Sequence, residues 1–220
     1  MNPGRPPMKK TRIFLPREVV KRLRKIYPAP ATALKWQNPW ELLVATILSA
    51  QCTDVQVNKI TPGLFSRWPD PKSLSMADPQ EVQEVIRPAG FFRTKSRNII
   101  QAGEIINRRF QGRVPADMED LMSLPGVASK TANIVLYGAY GINAGVAVDT
   151  HVKRTARRLG LTRSQDPGKI EKDLMSQFEQ DDWGDLNHML VLLGRETCRA
   201  RKPLCGECPL FEICPKFISI

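Results

Sequence analysis

The sequence lacks an apolar run long enough to cross a bilayer, which takes about 20 consecutive apolar residues. Residues 1–12 are basic and contain prolines, but they lack the apolar core of a secretory signal. We therefore expect a disordered N-terminal tail and a cytoplasmic protein that does not span a membrane.

The sequence also lacks segments in which apolar and polar residues alternate as they do along a half-buried strand, and it has no internal repeat. Apolar residues recur instead three and four positions apart, in segments that open near Asp, Asn or Pro. This pattern predicts an all-α fold. The predicted helices cover residues 16–26, 38–50, 54–65, 78 onward, 95–110, 116–124, 129–140, 151–159, 166–178 and 182–198, with Asp54, Asp78, Asp117 and Asp166 at capping positions.

Cysteine is scarce outside one short segment. Four of the five cysteines lie between positions 198 and 214, which argues against the disulfide framework of an exported protein. Cys198, Cys205, Cys208 and Cys214 have the spacing C-x6-C-x2-C-x5-C, and as thiolates they would bind a soft metal or an iron–sulfur cluster. The spacing alone does not distinguish zinc from iron. Cys52 stands apart and is expected to be a small buried residue.

Acidic residues are outnumbered by Lys and Arg, 22 to 33, which gives a formal charge of +11 and an isoelectric point near 9.7. This imbalance indicates a polyanionic partner, either nucleic acid or an acidic membrane surface. The basic residues are spread along the chain, which favours a folded basic face over a basic tail. On charge alone, a basic protein without a nucleic-acid role is the alternative.

Residues 116–140 have the pattern of a helix, a tight turn and a second helix, with Pro125-Gly126 breaking the chain between them. Such a hairpin presents backbone N–H groups near Gly126 and Ala128, at the start of the second helix. Those donors and the helix dipole suit a phosphate, which would position DNA without reading its sequence. On this pattern alone, an ordinary helix–helix corner is equally consistent.

Two residues favour a catalytic site over an ordinary helix–helix corner. Lys130 falls in the first turn of the second helix, where a cation opposes the positive end of the helix dipole. Stability alone gives no reason for a lysine there, whereas an uncharged lysine amine is a nucleophile. Asp149 falls at the start of the next helix, where it is either an N-cap or a functional carboxylate.

The segment Leu124-Pro-Gly-Val-Ala-Ser-Lys-Thr-Ala-Asn, followed by Val148-Asp-Thr-His-Val, resembles endonuclease III, a base-excision DNA glycosylase of the helix-hairpin-helix superfamily. The similarity extends over residues 14–217. The resemblance implies that Lys130 is the nucleophile and that Asp149 is its electrostatic and proton-transfer partner. It also implies that the four clustered cysteines hold a [4Fe–4S] cluster.

The resemblance further implies two lobes. Residues 32–141 would form a helical barrel-like domain ending in the hairpin, and residues 142–220 a cluster domain against which residues 1–31 pack. The sequence departs from the family at Ala128, where glycine is usual, and in a turn at residues 141–145 that is about one residue longer. Ala128 puts the close approach of backbone to phosphate in question.

A glycosylase must extrude its target nucleotide and fill the gap that is left. By resemblance, Gln51 and Phe91 occupy the gap-filling positions, with a phenylalanine where the family has an aliphatic residue. Core packing is the alternative for Phe91 and is favoured for Phe92.

The sequence therefore predicts a monomeric, nucleoid-associated, bifunctional DNA glycosylase and abasic-site lyase that acts on double-stranded DNA with oxidised pyrimidines or abasic sites. A basic groove would hold the DNA backbone, and its predicted contacts are Lys153, Arg154, Arg199, Arg201 and Lys202. The alternatives are a mismatch-specific glycosylase, a non-catalytic DNA-binding module and a small iron–sulfur electron carrier. Lys130 argues against the mismatch enzymes, because those relatives generally lack it.

Overall fold

The structure, a computed structural model, describes residues 16–215, and within that range it contains helices and no strand. The α-helices are α1 (Pro16–Ile26), α2 (Pro39–Leu48), α3 (Asp54–Arg67), α4 (Pro71–Ser75), α5 (Pro79–Ile86), α6 (Phe92–Phe110), α7 (Met118–Met122), α8 (Ser129–Tyr140), α9 (Thr150–Leu159), α10 (Pro167–Met175) and α11 (Trp183–Glu196). Short 3₁₀ turns cover Arg87–Ala89, Gln180–Asp182 and Cys205–Glu207. The all-α prediction is confirmed, and the predicted tail at residues 1–12 lies outside the described residues.

Side-chain oxygens start most of these helices, as the sequence predicts. Asp78, Asp117 and Asp166 cap α5, α7 and α10 by accepting hydrogen bonds from backbone N–H groups of the first turn. Each of these bonds satisfies a donor that has no partner within its helix.

Two predicted helix starts are wrong, and one helix was not predicted. Thr53 caps α3, because its hydroxyl accepts from the Gln56 N–H at 3.2 Å, and Asp54 is instead the first helical residue. The helix predicted to begin at Lys95 begins at Phe92. The short helix α4 was missed, although a reciprocal cap between Asp70 and Ser73 defines its start.

Two clusters of buried apolar side chains divide the helices. The first draws on α2 to α8 and includes seven of the ten residues of α2. The second draws on α9 to α11 together with Val19, Val20 and Leu23 of α1. This distribution supports the division at residues 31 and 141, which we retain as a proposal.

Helix α8 lies between the two clusters and packs against both α2 and α11. Its Tyr137 hydroxyl donates to Asp185 at 2.5 Å, and a Cβ on Gly184 would lie 2.1 Å from the Tyr137 ring. Glycine is therefore required where α11 crosses α8. A second link joins α3 to α11 through the Asp54–Arg195 ion pair at 2.8 Å. Among residues 16–215, no helix is both long and apolar enough to cross a membrane.

Candidate active site and DNA-binding surface

The hairpin between α7 and α8 has a turn that only glycine fits. Gly126 has a φ of 80°, and a Cβ there would lie 2.7 Å from Nδ2 of Asn98. Ala128 has a φ of −110°, which any residue adopts. The alanine that departs from the family pattern is therefore accommodated without backbone strain.

Helix α8 begins without a side-chain cap, because Ala128 offers no oxygen. Its first backbone bond runs from the Ala132 N–H to the Ala128 carbonyl at 3.0 Å. The N–H groups of Ser129, Lys130 and Thr131 have no hydrogen bond to another described residue. Three backbone donors at the positive end of α8 are thus available to an anion.

Lys130 is exposed and pairs with no carboxylate among the described residues. Glu171 of α10 holds two neighbours of Lys130 in the first two turns of α8. Nδ2 of Asn133 donates to Oε1 of Glu171 at 2.7 Å, and the Ser129 hydroxyl donates to Oε2 at 3.2 Å. These bonds fix the helix that carries the lysine while leaving its amine unengaged.

Asp149 is half-buried and caps α9. Its Oδ1 accepts from the backbone N–H groups of His151 and Val152, both at 2.8 Å. Oδ2 accepts no hydrogen bond from another described residue. The capping and functional interpretations are therefore compatible, because one oxygen orients the carboxylate and the other is free.

The imidazole of His151 interacts electrostatically with both Asp149 and Lys130. Burial lowers the pKa of its imidazole below the ordinary value of 6.5; Asp149 opposes this shift, and the cations Arg154, Arg195 and Lys130 reinforce it. Lys130 and Asp149 therefore both lie within electrostatic reach of one ring. Sequence reasoning missed His151 as a site residue, although it stands in the Val148–Val152 motif.

The two predicted gap-filling residues are both exposed and both in the left-handed backbone region. Gln51 has a φ of 53° and Phe91 a φ of 48°, and Phe91 is 64% exposed. A side chain held in that region without glycine points to a functional constraint. Phe92, by contrast, packs against the first core beneath the guanidinium groups of Arg87 and Arg93.

The structure gives Arg154 a different role from the predicted DNA contact. Its guanidinium donates to the Gly194 carbonyl at 2.7 Å and to the Cys198 carbonyl at 3.1 Å, and it lies 3.3 Å from Nδ1 of His151. A guanidinium that donates hydrogen bonds to two backbone carbonyls is poorly placed to reach a phosphate. The other predicted contacts are less engaged: Lys153 is half-buried, and Arg199, Arg201 and Lys202 are exposed.

All four clustered cysteines line one pocket that is partly open to solvent. Among the described residues, no three Cys, His, Asp or Glu side chains converge closely enough to hold a single metal ion. Four cysteines around one pocket nevertheless supply the four thiolate ligands that a [4Fe–4S] cluster requires.

The residues around the four cysteines also fit a metal cluster held by negatively charged thiolates. Arg158 lies with Nη1 3.6 Å from Sγ of Cys198, and it donates to the Arg199 carbonyl at 2.6 Å. Burial and the neighbouring thiols raise the pKa of Cys208, which disfavours its thiolate form. Bound iron would offset that cost, because it takes the place of the proton. The cysteines would hold the cluster, and Arg158 would shape the basic loop beside it.

Known proteins share both the fold and these motifs. The HhH-GPD superfamily of base excision DNA repair proteins matches residues 44–180, and the iron–sulfur binding domain of endonuclease III matches residues 198–214. Endonuclease III of Synechocystis sp. is 54% identical over 198 residues, which is 90% of each chain. Two solved structures, a non-covalent endonuclease III–DNA complex and a trapped endonuclease III–DNA covalent intermediate, match with a TM-score of 0.85 at 39% identity, covering 91% of this chain and 94% of theirs.

Proposed function

The chain belongs to the endonuclease III family of HhH-GPD base excision repair proteins, and from that membership we propose how its residues act. The resemblance drawn from the hairpin motif is confirmed, and so are the helix-hairpin-helix fold and the iron–sulfur cofactor. The protein is a bifunctional DNA glycosylase and abasic-site lyase that binds DNA. We propose that its substrate is double-stranded DNA with oxidised pyrimidines or abasic sites, on which it acts as a monomer in the cytoplasm, at the nucleoid.

Lys130 is the proposed nucleophile. Its uncharged amine attacks C1′ of the damaged nucleotide while the base leaves with the electrons of the C1′–N bond. The sugar ring then opens, and the adduct becomes a Schiff base. Loss of the C2′ proton expels the 3′ phosphate by β-elimination, and water finally hydrolyses the imine to free Lys130.

Asp149 is the proposed electrostatic partner. Positive charge develops on the sugar as the base departs, and a carboxylate held in place stabilises that charge without reorganising. The Oδ1 bonds to the start of α9 supply the orientation, and Oδ2 is free to face the sugar or to move a proton. The single observation that supports this assignment most is that Oδ1 is fixed by two backbone N–H groups at 2.8 Å while Oδ2 accepts no hydrogen bond from another described residue.

The uncapped start of α8 would bind the DNA backbone, and the side chains of Gln51 and Phe91 would enter the duplex. A phosphate at the three free N–H groups would place the strand beside Lys130. Phe91, exposed on a tight turn, would fill part of the space that the extruded nucleotide vacates.

Strand cleavage on a set of matched duplexes tests this function. We expect cleavage at an oxidised thymine and at an abasic site, and none on undamaged DNA or on adenine opposite 8-oxoguanine. A mismatch glycosylase would process the adenine substrate and leave an uncut abasic site. A non-catalytic DNA-binding module or an electron carrier would cleave none of them.

Metal analysis tests the cofactor. The purified protein should be brown and contain about four irons per chain with little zinc, because four cysteines carry a cubane cluster. Cys205→Ser should destabilise the second lobe more than it alters the chemistry of the folded fraction, whereas Cys52→Ser should leave the iron content unchanged. One zinc and no iron would contradict the cluster assignment.

Salt dependence tests the basic groove. Lys153, Arg199, Arg201 and Lys202 can neutralise about three to four phosphates, so log Kd should change with log salt with a slope of roughly 3 to 4. Arg199→Glu or Arg201→Glu should flatten that slope by about one or more and weaken all sequences alike.

Arg67→Glu is a matched control for this prediction. Arg67 is exposed at the C-terminal end of the 14-residue α3. It lies about 20 Å from Asp54, the residue that joins α3 to α11 by its ion pair with Arg195. The same change of charge at Arg67 should therefore leave the slope intact. The groove assignment is wrong if the Arg199 and Arg67 variants behave alike.

A further inference from the structure

Lys95 is a buried cation near the start of α6 that the proposed chemistry does not use. Its side chain is only 4% exposed, yet it pairs with no carboxylate among the described residues. Its ammonium donates instead to two backbone carbonyls, those of Leu48 and Ala89, each at 2.8 Å. A buried lysine needs such partners, because burying an unpaired charge is costly.

Both carbonyls lie at the ends of helical segments that lead into the DNA-facing turns. Leu48 is the last residue of α2, and the chain reaches Gln51 three positions later. Ala89 is the last residue of a 3₁₀ turn, and Phe91 follows two positions later. No other described residue donates a hydrogen bond to either oxygen. Terminal carbonyls carry partial negative charge, which a cation stabilises.

The position of Lys95 is unfavourable for reasons of stability alone. It lies in the first turn of α6, close to the positive end of that helix, and burial lowers its pKa. Hydrogen bonding to two carbonyls 47 and 6 positions away offsets that cost. The two bonds join segments that are remote in sequence, and each segment is followed within three positions by a residue with left-handed backbone geometry.

We propose that Lys95 is a positioning residue that holds the Gln51 and Phe91 turns at a fixed spacing, so that the two side chains enter the duplex as one unit. This proposal rests on the gap-filling roles assigned above. Base excision requires extrusion of a stacked nucleotide, whereas an abasic nucleotide has no base to unstack. Loss of Lys95 should therefore impair excision of a base far more than reaction with a preformed abasic site.

Lys95→Met removes the ammonium but keeps an unbranched apolar side chain. We expect excision of an oxidised thymine to fall by about 10- to 100-fold, the range produced by a misplacement of roughly 1 Å. Borohydride trapping on abasic DNA should change by less than about threefold. A fluorescent base opposite the lesion should also lose the signal that reports unstacking.

Ile106→Ala is the matched control. Ile106 is fully buried in the same helix, and its apolar side chain cannot donate a hydrogen bond to either carbonyl, so its variant loses core packing alone. It should reduce excision and trapping by the same factor, if at all. The proposal is overturned if Lys95→Met does the same, or if it leaves excision unchanged.

A double-mutant cycle tests the coupling without any change at Lys95. Gln51→Ala and Phe91→Ala should each reduce excision, and their effects should not add, because the two turns act together. Additive effects would overturn the coupling. If neither single variant affects excision, the gap-filling assignment itself fails, and wild-type trapping on abasic DNA would still show whether the lyase assignment stands.

Discussion

Replacement of Lys130 by alanine should abolish strand cleavage at abasic sites and covalent trapping by borohydride. The expected loss exceeds about 1,000-fold, because no other group replaces a covalent nucleophile once it is removed. Binding to abasic DNA should weaken by less than about tenfold, since the variant loses one cation while the backbone donors of α8 persist. Gel-based trapping and equilibrium binding on the same duplex measure both quantities.

Lys153→Ala serves as the control for this prediction. Lys153 lies on α9 near Asp149 and carries the same charge, so its loss should weaken DNA binding but leave trapping of the bound fraction intact. Trapping that persists in Lys130→Ala and disappears in Lys153→Ala would move the nucleophile to α9.

Replacement of Asp149 by asparagine should leave the fold intact and reduce base excision by about 100- to 1,000-fold, as expected when a transition-state charge loses its stabilising partner. The amide oxygen can still accept from the N–H groups of His151 and Val152, and asparagine caps helices about as well as aspartate. Excision rates and thermal unfolding should therefore separate the two roles of this carboxylate.

Asp166→Asn makes the same chemical change at another helix start. Asp166 caps α10 through the Lys169 N–H at 2.9 Å and has no assigned role in the chemistry. This variant should match Asp149→Asn in stability and match the wild type in activity. If Asp149→Asn instead kept its activity and lost stability, Asp149 would be a cap and nothing more.

The helices and their caps could be predicted because their causes are local. Asp117 and Asp166 stand directly before segments with helical spacing, and a side-chain oxygen there reaches the first-turn N–H groups. The start of α3 was misplaced because Thr53 and Asp54 are adjacent and both can cap. The sequence does not show that Asp54 pairs instead with Arg195, 141 positions away.

Contacts that are remote in sequence account for the other features that the sequence did not predict. Arg154 looked like a DNA contact because basic residues cluster on α9, but it donates to carbonyls some 40 residues further along the chain. The burial of Lys95 was not predicted, because it depends on the carbonyls of Leu48 and Ala89, which lie 47 and 6 positions away. The left-handed backbone at Gln51 and Phe91 was equally unforeseen, since neither residue is glycine.

The central claim is that the amine of Lys130 forms the covalent bond to DNA, and peptide mapping of the reduced adduct tests it most directly. Wild-type protein would be trapped on an abasic duplex with borohydride and digested with a protease and a nuclease, and the modified peptide would be identified by mass spectrometry. The account predicts a single deoxyribose-derived adduct on Lys130, in the peptide that begins the second helix of the hairpin. An adduct on Lys153 or on the N-terminal amine, with Lys130 unmodified, would contradict it.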